Sequence, residues 1–260
     1  MSFPDACRWL ANGTNIILDT YRPRTPTVDR PARPFDATRY ARLFEHPWLS
    51  DEARTFLFTE RRLNPRVVSW CRLTSWTDRQ GTHWLQTPYF DASGQLIGLQ
   101  NRNLDYGKKK GDEGEETRAD NKQGQGSECR EAPRFRFPYG SRCTVYNLPV
   151  TAMLRPGEPL FITEGCSDCW AMLSAGHKAI AIPSATLLSQ ADKALLRDLA
   201  QRLGTSFHMF PDRDAPGERL FMQLREVLPG LQHHQLPVDC KDFAEYYVSA
   251  LAKNKLGGYG

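Results

Sequence analysis

The sequence lacks any long apolar run. No stretch approaches the roughly 18 consecutive uncharged apolar residues that a membrane-spanning helix needs. Near the N-terminus, Asp5 and Arg8 interrupt the chain before the apolar core of a signal peptide could form. We therefore expect a cytoplasmic protein that has no membrane partner.

Cysteine is present, but not in the pattern of a disulfide framework. The seven cysteines are an odd number and are scattered along the 260 residues, at Cys7, Cys71, Cys129, Cys143, Cys166, Cys169 and Cys240. This usage is typical of a reducing compartment, so we expect mostly free thiols. No four Cys or His residues stand at zinc-ribbon spacing, and we expect no structural zinc in this chain.

A strong excess of either charge is also missing. The chain has 34 Lys and Arg against 30 Asp and Glu, a formal net charge of +4, and a pI near 8.7. Such a weak excess permits a nucleic-acid partner without requiring one. With 40% hydrophobic and 11% aromatic residues, the chain can bury a core and is long enough for two modest domains.

The N-terminal part divides into a helix and a linker. Residues 1–20 begin with apolar residues at helical spacing, which predicts one short amphipathic helix. Residues 21–37 form a predicted linker, because positions 21–34 alone carry four prolines and four arginines. We place a domain boundary there.

Residues 38–150 predict a smaller α+β subdomain. The pattern is helical from Thr38 to Trp76, and it then changes to a β-hairpin over 83–102 with a turn at Asp91-Ala92-Ser93-Gly94. Residues 105–131 are almost all glycine or polar, so we expect a mobile loop that is dispensable for folding.

Residues 151–260 alternate apolar strands with amphipathic helices. The predicted strands are 159–163, 178–182, 207–210 and 231–236, and the predicted helices are 168–175, 189–203, 216–228 and 242–251. This alternation indicates a parallel sheet covered by helices on both faces. The fold class is therefore α/β, and its chemistry is expected at the carboxyl ends of the strands.

Three acids follow these strands. Glu164 follows the first, and Asp212 and Asp214 follow the third, so all three should emerge at one edge of the sheet. Carboxylates in an Asp-x-Asp pattern are suitable ligands for Mg²⁺, which keeps several waters for substrate phosphates. The alternative for each acid alone is a helix N-cap, as for Asp214 before Pro216 or for Asp168.

These motifs resemble the Toprim domain, the metal-binding module of bacterial primases, topoisomerases and some nucleases. The matching pieces are Phe161-Ile162-Thr163-Glu164-Gly165-Cys166-Ser167-Asp168, Ile182-Pro183-Ser184-Ala185-Thr186-Leu187 and Phe210-Pro211-Asp212-Arg213-Asp214-Ala215-Pro216-Gly217. The second and third pieces resemble the bacterial DnaG-type DNA primases in particular, and so do Gly94–Leu104, Arg134-Phe135, Val145-Tyr146-Asn147-Leu148 and Lys241-Asp242.

The resemblance implies a Mg²⁺- or Mn²⁺-dependent enzyme that joins ribonucleoside triphosphates on a single-stranded DNA template. Its catalytic and metal-binding residues would be Glu164, Asp212 and Asp214, with Asp168 and Asp242 as further acids of the metal site. Arg102, Arg134 and Arg136 would bind template phosphates, beside the aromatic residues Phe135, Phe137 and Tyr139. An ordinary strand, with its arginines in solvent and its aromatic rings in the core, is the alternative for this segment.

The sequence departs from the primase pattern at two points. Where that pattern would place another Asp after Lys241-Asp242, this chain has Ala244, followed by Glu245. The family's N-terminal zinc ribbon has no counterpart here, so a split or truncated primase is expected, with a ribbon domain in trans or a replicative helicase as potential partners.

Other functions are compatible with parts of the sequence. A Toprim-type nuclease would use the same acids, and a non-catalytic DNA-binding replication accessory protein would need none of them. Cys166-x-x-Cys169 has thioredoxin-like spacing but lacks the Cys-Gly-Pro-Cys form. His233 and His234 are interpreted as edge-strand residues rather than metal ligands.

Overall fold

A computed structural model describes residues 34–107, 132–183 and 188–253. These residues belong to one compact unit, Pro34–Gly260. The predicted helix in 1–20, most of the linker 21–37 and most of the loop 105–131 lie outside the described residues. So does part of one Toprim-like motif, 184–187.

The N-terminal half of the unit contains three helical segments and an antiparallel sheet. The helices are α1 (Thr38–Glu45), α2 (Asp51–Arg54, continued by a π-helical turn over Thr55–Glu60) and α3 (Pro65–Trp70). Ser50 and Asn64 cap α2 and α3 because their side chains accept hydrogen bonds from backbone N–H groups in the first turn of each helix. The strands are β1 (Thr74–Thr77), β2 (His83–Phe90), β3 (Leu96–Asn103) and β4 (Phe135–Arg136), in the order β1-β2-β3-β4.

The expected hairpin is confirmed as β2 and β3. Its turn is stabilised by Asp91, whose Oδ1 accepts hydrogen bonds from the Ser93 and Gln95 backbone N–H groups, and by Gly94 at φ 83°. Strand β2 is buried at every position from Trp84 to Tyr89, because both faces of this strand are covered. The helical pattern expected up to Trp76 is also wrong at its end, where β1 pairs with β2.

The C-terminal half confirms the α/β fold class. After a 3₁₀ turn (Leu148–Met153), the strands are β5 (Leu160–Glu164), β6 (Lys178–Ile182), β7 (Phe207–Met209) and β8 (Gln232–His233). The helices are α4 (Gly165–Ser174), α5 (Gln190–Leu203), α6 (Ala215–Val227) and α7 (Phe243–Ala252). All three strand pairs are parallel, in the order β6-β5-β7-β8.

Helices cover both faces of the parallel sheet. On one face, Leu160 and Ile162 of β5 pack in a core with Leu196 of α5 and Leu220 of α6. On the other face, Phe161 belongs to a core that includes residues of α4 and α7 and extends to the antiparallel sheet through Leu85 and Tyr89. One continuous core therefore joins the two sheets.

Neither edge of the parallel sheet offers a long open strand. Tyr146 forms an antiparallel bridge with Ala181 and so covers the middle of β6. At the opposite edge, the strand expected over 231–236 is reduced to the two residues of β8. No helix in the described ranges is long and apolar enough to cross a membrane.

Candidate active site

A sharp turn places Glu164 at the carboxyl end of β5. Glu164 is the last residue of the strand and the N-cap of α4, and Gly165 follows at φ 77°, a left-handed conformation that favours glycine. Helix α4 therefore begins three residues before the predicted start at Asp168. The carboxylate of Glu164 lies at the edge where catalytic groups of parallel sheets are found.

Asp212 lies beyond the end of β7, the parallel neighbour of β5, and α6 packs tightly against its backbone. A Cβ at Gly217 would lie 2.5 Å from the Asp212 carbonyl oxygen and 2.8 Å from its nitrogen. Only a residue without a side chain fits here, so Gly217 allows α6 to pack directly against the Asp212 backbone. Sequence reasoning missed this role, although Gly217 belongs to the quoted motif.

Asp214 and Asp242 both act as helix N-caps. The Asp214 side chain accepts a hydrogen bond from the Gly217 N–H (2.9 Å), and Asp242 accepts one from the Glu245 N–H (2.8 Å). The second oxygen of Asp214 lies 3.4 Å from Nζ of Lys241. The capping alternative is therefore correct for Asp214, while its carboxylate still faces the site.

Asp168 is buried in the first turn of α4 and is not a cap. Its Oδ1 accepts a hydrogen bond from the Ala244 backbone N–H at 2.8 Å. Ala244 is itself buried, and Glu245 points away, because its carboxylate accepts a hydrogen bond from the Lys241 N–H. The position that carries a further Asp in the resembled family therefore supplies a backbone donor here, not an acid.

The four acids at the sheet edge and Asp168 influence one another electrostatically. Burial, followed by the charges of Glu164, Asp242 and Asp214, raises the pKa of Asp212 to about 7. Burial is also the main cause that holds the pKa of Asp168 well above its ordinary value, followed by the charges of Asp242 and Asp212. We call these five residues, Glu164, Asp168, Asp212, Asp214 and Asp242, the carboxylate cluster.

The donor set suits a hard divalent cation. Carboxylate oxygens are the protein ligands that Mg²⁺ and Mn²⁺ prefer, and a cation would reduce the mutual repulsion that raises the pKa of Asp212. Within the described ranges, no three His, Cys, Asp or Glu side chains are arranged as a ready-made metal cage. Mg²⁺ is commonly held by only one or two carboxylates while it keeps water and substrate oxygens, so the cluster fits this mode of binding.

A group of arginines lies beside the carboxylate cluster. The guanidinium carbon of Arg102 is 4.9 Å from the centre of the Phe56 ring, and that of Arg61 is 5.4 Å from the same ring. Burial, followed by the charges of Arg61 and Arg134, lowers the pKa of Arg102 to about 10. We call Arg61, Arg102 and Arg134 the arginine cluster.

Arg61 connects the two clusters, because its charge lowers the pKa of Asp168 against the larger raising effect of burial. Sequence reasoning missed Arg61, since it lies in the turn after α2 and no motif marks it. Arg136, in contrast, lies away from this group. Its guanidinium is 3.4 Å from Oδ2 of Asp78 and 4.5 Å from the centre of the Trp84 ring.

The aromatic residues of segment 135–139 differ in their exposure, which separates the base-stacking interpretation from that of an ordinary strand. Phe135 is half-buried beneath Arg102, whereas Phe137 and Tyr139 are exposed, at 48% and 67% of their surface. Exposed rings beside a strand are available for stacking on bases. The ordinary-strand interpretation therefore does not hold for Phe137 and Tyr139.

The Cys166-x-x-Cys169 pair lacks the features of a redox centre. Both thiols are buried in the core, and burial raises the pKa of each above its ordinary value. Cys166 contacts the Tyr89 hydroxyl at 3.2 Å, and Cys169 donates a hydrogen bond to the Ala179 carbonyl at 3.3 Å. Buried, protonated thiols are poor nucleophiles. The five described cysteines are free, as expected.

The two adjacent histidines lie at the β8 edge, as expected, but one of them forms a specific pair. Nε2 of His234 is 2.8 Å from Nδ1 of His208, and Nε2 of His208 is 2.8 Å from the Ser206 hydroxyl. The rings of His208 and His234 are stacked. His233 contacts Glu218 at 3.4 Å.

The sequence matches no protein-family model and no curated protein. Solved structures, however, share its fold. The structure of the Aquifex aeolicus primase, comprising its zinc-binding and RNA polymerase domains, aligns with a TM-score of 0.59 and 15% identity over 98% of this chain and 66% of that one.

Two further similar structures come from a bacterium and a phage. The RNA polymerase domain of the Mycobacterium tuberculosis primase DnaG, in complex with double-stranded DNA, aligns with a TM-score of 0.55 and 15% identity over 85% of this chain and 76% of that one. The primase fragment of the bacteriophage T7 primase-helicase protein aligns with a TM-score of 0.51 and 12% identity over 76% and 69%. The chain therefore has the fold of the DnaG-type primase catalytic core.

Proposed function

We propose that this chain catalyses template-directed synthesis of an RNA primer on single-stranded DNA, with residues 151–260 as a Toprim catalytic domain. One observation carries the proposal. Acids from three separate segments of a primase-like fold form one cluster, in which burial and then the neighbouring charges raise the pKa of Asp212 to about 7. Crowded, partly buried acids lower the stability of the folded protein, and such clusters are typical of catalytic centres.

The chain's own residues would divide the work of nucleotidyl transfer. Asp212 and Asp214, with Glu164 nearby, would hold Mg²⁺ or Mn²⁺, and Asp168 and Asp242 would support that site. An ion held there would supply the positive charge that neutralises the triphosphate. Gly217 lets α6 pack against the Asp212 backbone, and the Lys241 ammonium, 3.4 Å from Asp214, supplies a positive charge near that carboxylate.

The arginine cluster would bind the phosphates of the template strand or of the incoming ribonucleoside triphosphates. Arg102 is held in one orientation by the rings of Phe56 and Phe135, so little side-chain entropy is lost on binding. The structures with a similar fold include an RNA polymerase domain of a primase in complex with double-stranded DNA and the primase fragment of a primase-helicase protein. A DNA template and a helicase partner are therefore reasonable partners for this chain.

The test is ribonucleotide incorporation. The protein is incubated with labelled ribonucleoside triphosphates, single-stranded DNA of varied sequence and either Mg²⁺ or Mn²⁺, and the products are resolved by length. We expect metal-dependent oligoribonucleotides from the wild type and none from Asp212→Asn. Metal-dependent shortening of the DNA would instead identify a nuclease. Binding of DNA without either reaction would identify an accessory protein, for which the buried Ala244 at an expected acid position is the supporting observation.

A further inference from the structure

A cavity of about 450 Å³ lies between α3, the β2–β3 hairpin and the segment that precedes the parallel sheet. Among its lining residues are Arg66, Trp70, Arg72, Phe90 and Asn147. It is remote from the carboxylate cluster along the sheet, because Asn147 is bonded to Ala179 near the start of β6, whereas the cluster lies at the carboxyl ends of β5 and β7. Its volume is within the range of small-molecule sites.

One wall of the cavity is an aromatic ring in a fixed orientation. Trp70 is 43% exposed, yet its Nε1 donates a hydrogen bond to Oδ1 of Asn147 at 3.2 Å. Asn147 is buried, has a left-handed backbone (φ 62°) and donates from Nδ2 to the Ala179 carbonyl at 2.8 Å. The indole is therefore tied to the backbone of β6. A fixed, exposed indole face is well suited to stacking on a planar ring.

Two arginines, Arg66 and Arg72, give the lining of the cavity a positive charge. Arg66 and Arg72 are both exposed, and among the described residues neither guanidinium forms an ion pair with a carboxylate. Arg72 lies over the Phe90 ring, with 5.3 Å between its guanidinium carbon and the ring centre. Its left-handed backbone (φ 49°) belongs to the end of α3, where the Leu73 N–H donates a hydrogen bond to the Val68 carbonyl.

We propose that this cavity binds a free nucleoside phosphate, with its base stacked on Trp70 and its phosphate held by Arg66 and Arg72. Guanidinium groups bind phosphate oxygens through pairs of charged hydrogen bonds. The base is a planar ring that can stack on the exposed face of the Trp70 indole. This inference does not depend on the proposed primase activity. The same base and phosphate occur in a DNA strand, so the test must separate the free nucleotide from the strand.

The experiment titrates the full chain with ATP in EDTA, which prevents metal-bridged binding at the carboxylate cluster. Binding is followed by calorimetry and by tryptophan fluorescence. We expect saturable binding with quenching, about tenfold weaker binding of adenosine, and about tenfold weaker binding of ATP to the double variant Arg66→Gln/Arg72→Gln. Trp70→Phe should remove most of the quenching. The matched control Arg39→Gln/Arg42→Gln changes two exposed arginines of α1 and should bind as the wild type does.

Three outcomes would overturn the proposal. The first is the absence of saturation by ATP up to about 5 mM, since weaker binding is not specific recognition. The second is equal ATP affinity of the wild type and the double variant, whose folded state is checked by its Tm. The third is binding of a short oligothymidylate that depends on Arg66 and Arg72 but is not displaced by ATP, which would assign the cavity to a strand. The comparison of ATP with adenosine needs no variant, so a misfolded mutant does not leave the question open.

Discussion

Gly217 lies so close to Asp212 that a single added carbon would overlap the Asp212 backbone, at 2.5 Å from its carbonyl oxygen. We therefore expect Gly217→Ala to displace Asp212, to lower primer synthesis strongly and to destabilise the protein by about 1–3 kcal/mol. Gly230→Ala is the matched control, because no atom lies within 4 Å of a Cβ there and its backbone is not left-handed. Equal activity and equal Tm for the two variants would contradict the positioning role.

The Asp212 carboxylate should lower the free energy of unfolding of the metal-free protein. This carboxylate is half-buried among other acids, so Asp212→Asn should raise the free energy of unfolding by about 1 kcal/mol, a value reduced for solvent screening of a partly exposed side chain. Chemical denaturation in EDTA measures this directly. The same substitution should abolish synthesis. An Asp212→Asn protein that is active, or less stable than the wild type, would argue against the assignment.

The pH dependence of that stability has a definite sign. The folded-state pKa of Asp212 is raised to about 7, so the proton is bound more tightly in the folded state. The pKa of the Asp212 carboxyl in the unfolded chain is about 4. The wild type should therefore lose stability relative to Asp212→Asn as the pH rises from about 4 to about 7. Added Mg²⁺ should restore part of this loss in the wild type and not in the variant.

Asp214 should behave differently from Asp212, because it caps α6. Asp214→Ala removes the cap to the Gly217 N–H and should destabilise the protein by about 1 kcal/mol, although the loss of one acid from the cluster offsets part of this. Asp214→Asn keeps a capping oxygen and removes the charge. We expect both variants to be inactive and only the Ala variant to have a lower Tm. Full activity of Asp214→Asn would show that its charge is not required.

Much of the parallel sheet was predictable from local pattern, and the reason is its apolar strands. The bounds of β6, Lys178–Ile182, are those predicted, since a short apolar run between polar residues is an unambiguous signal of a buried strand. β1 was not predictable in this way, because its four residues form a strand only through their pairing with β2. The start of α4 was also missed, since it depends on the left-handed Gly165 and not on helical periodicity.

The acids of the site were visible in the sequence because they follow strands, but their partners were not. The hydrogen bond from Ala244 to Asp168 joins residues that are far apart in the chain, and no spacing rule predicts it. The same holds for Arg61, which enters the site only because α2 brings Phe56 beneath Arg102. Contacts of this kind depend on the packing of the whole unit.

The arginine cluster should contribute to DNA affinity in a salt-dependent way. Arg61→Gln/Arg102→Gln should weaken single-stranded DNA binding and lower the slope of log affinity against log salt by roughly 0.7 for each phosphate contact that is lost. Arg136→Gln is the comparison, because that guanidinium is already occupied by Asp78 and Trp84 and should affect the slope little. Fluorescence anisotropy at several salt concentrations provides the slopes. A larger effect from Arg136 would reverse the assignment.

The His208–His234 pair should make the fold sensitive to acid. Burial is the main cause that lowers the pKa of both rings. The charge of His234 further lowers the pKa of His208, and the charge of His233 further lowers that of His234. The Ser206 hydroxyl is the other polar neighbour of His208. A lowered histidine pKa means that stability is present above about pH 6.5 and declines as the pH falls below it. His234→Gln should therefore reduce the drop in Tm between about pH 7.5 and 5.5. His46→Gln, at an exposed histidine of the described chain, should leave that drop unchanged.

The bridge between Tyr146 and Ala181 has a consequence for association between copies of the protein. It occupies backbone groups of β6 that would otherwise offer a pairing surface to another strand, and the opposite edge offers only the two residues of β8. Edge strands that remain open are common starting points for intermolecular β-sheet growth. Release of residues 145–147 during partial unfolding would expose the apolar strand Lys178–Ile182 along its length. We therefore expect Tyr146 to limit such association in addition to packing in the core.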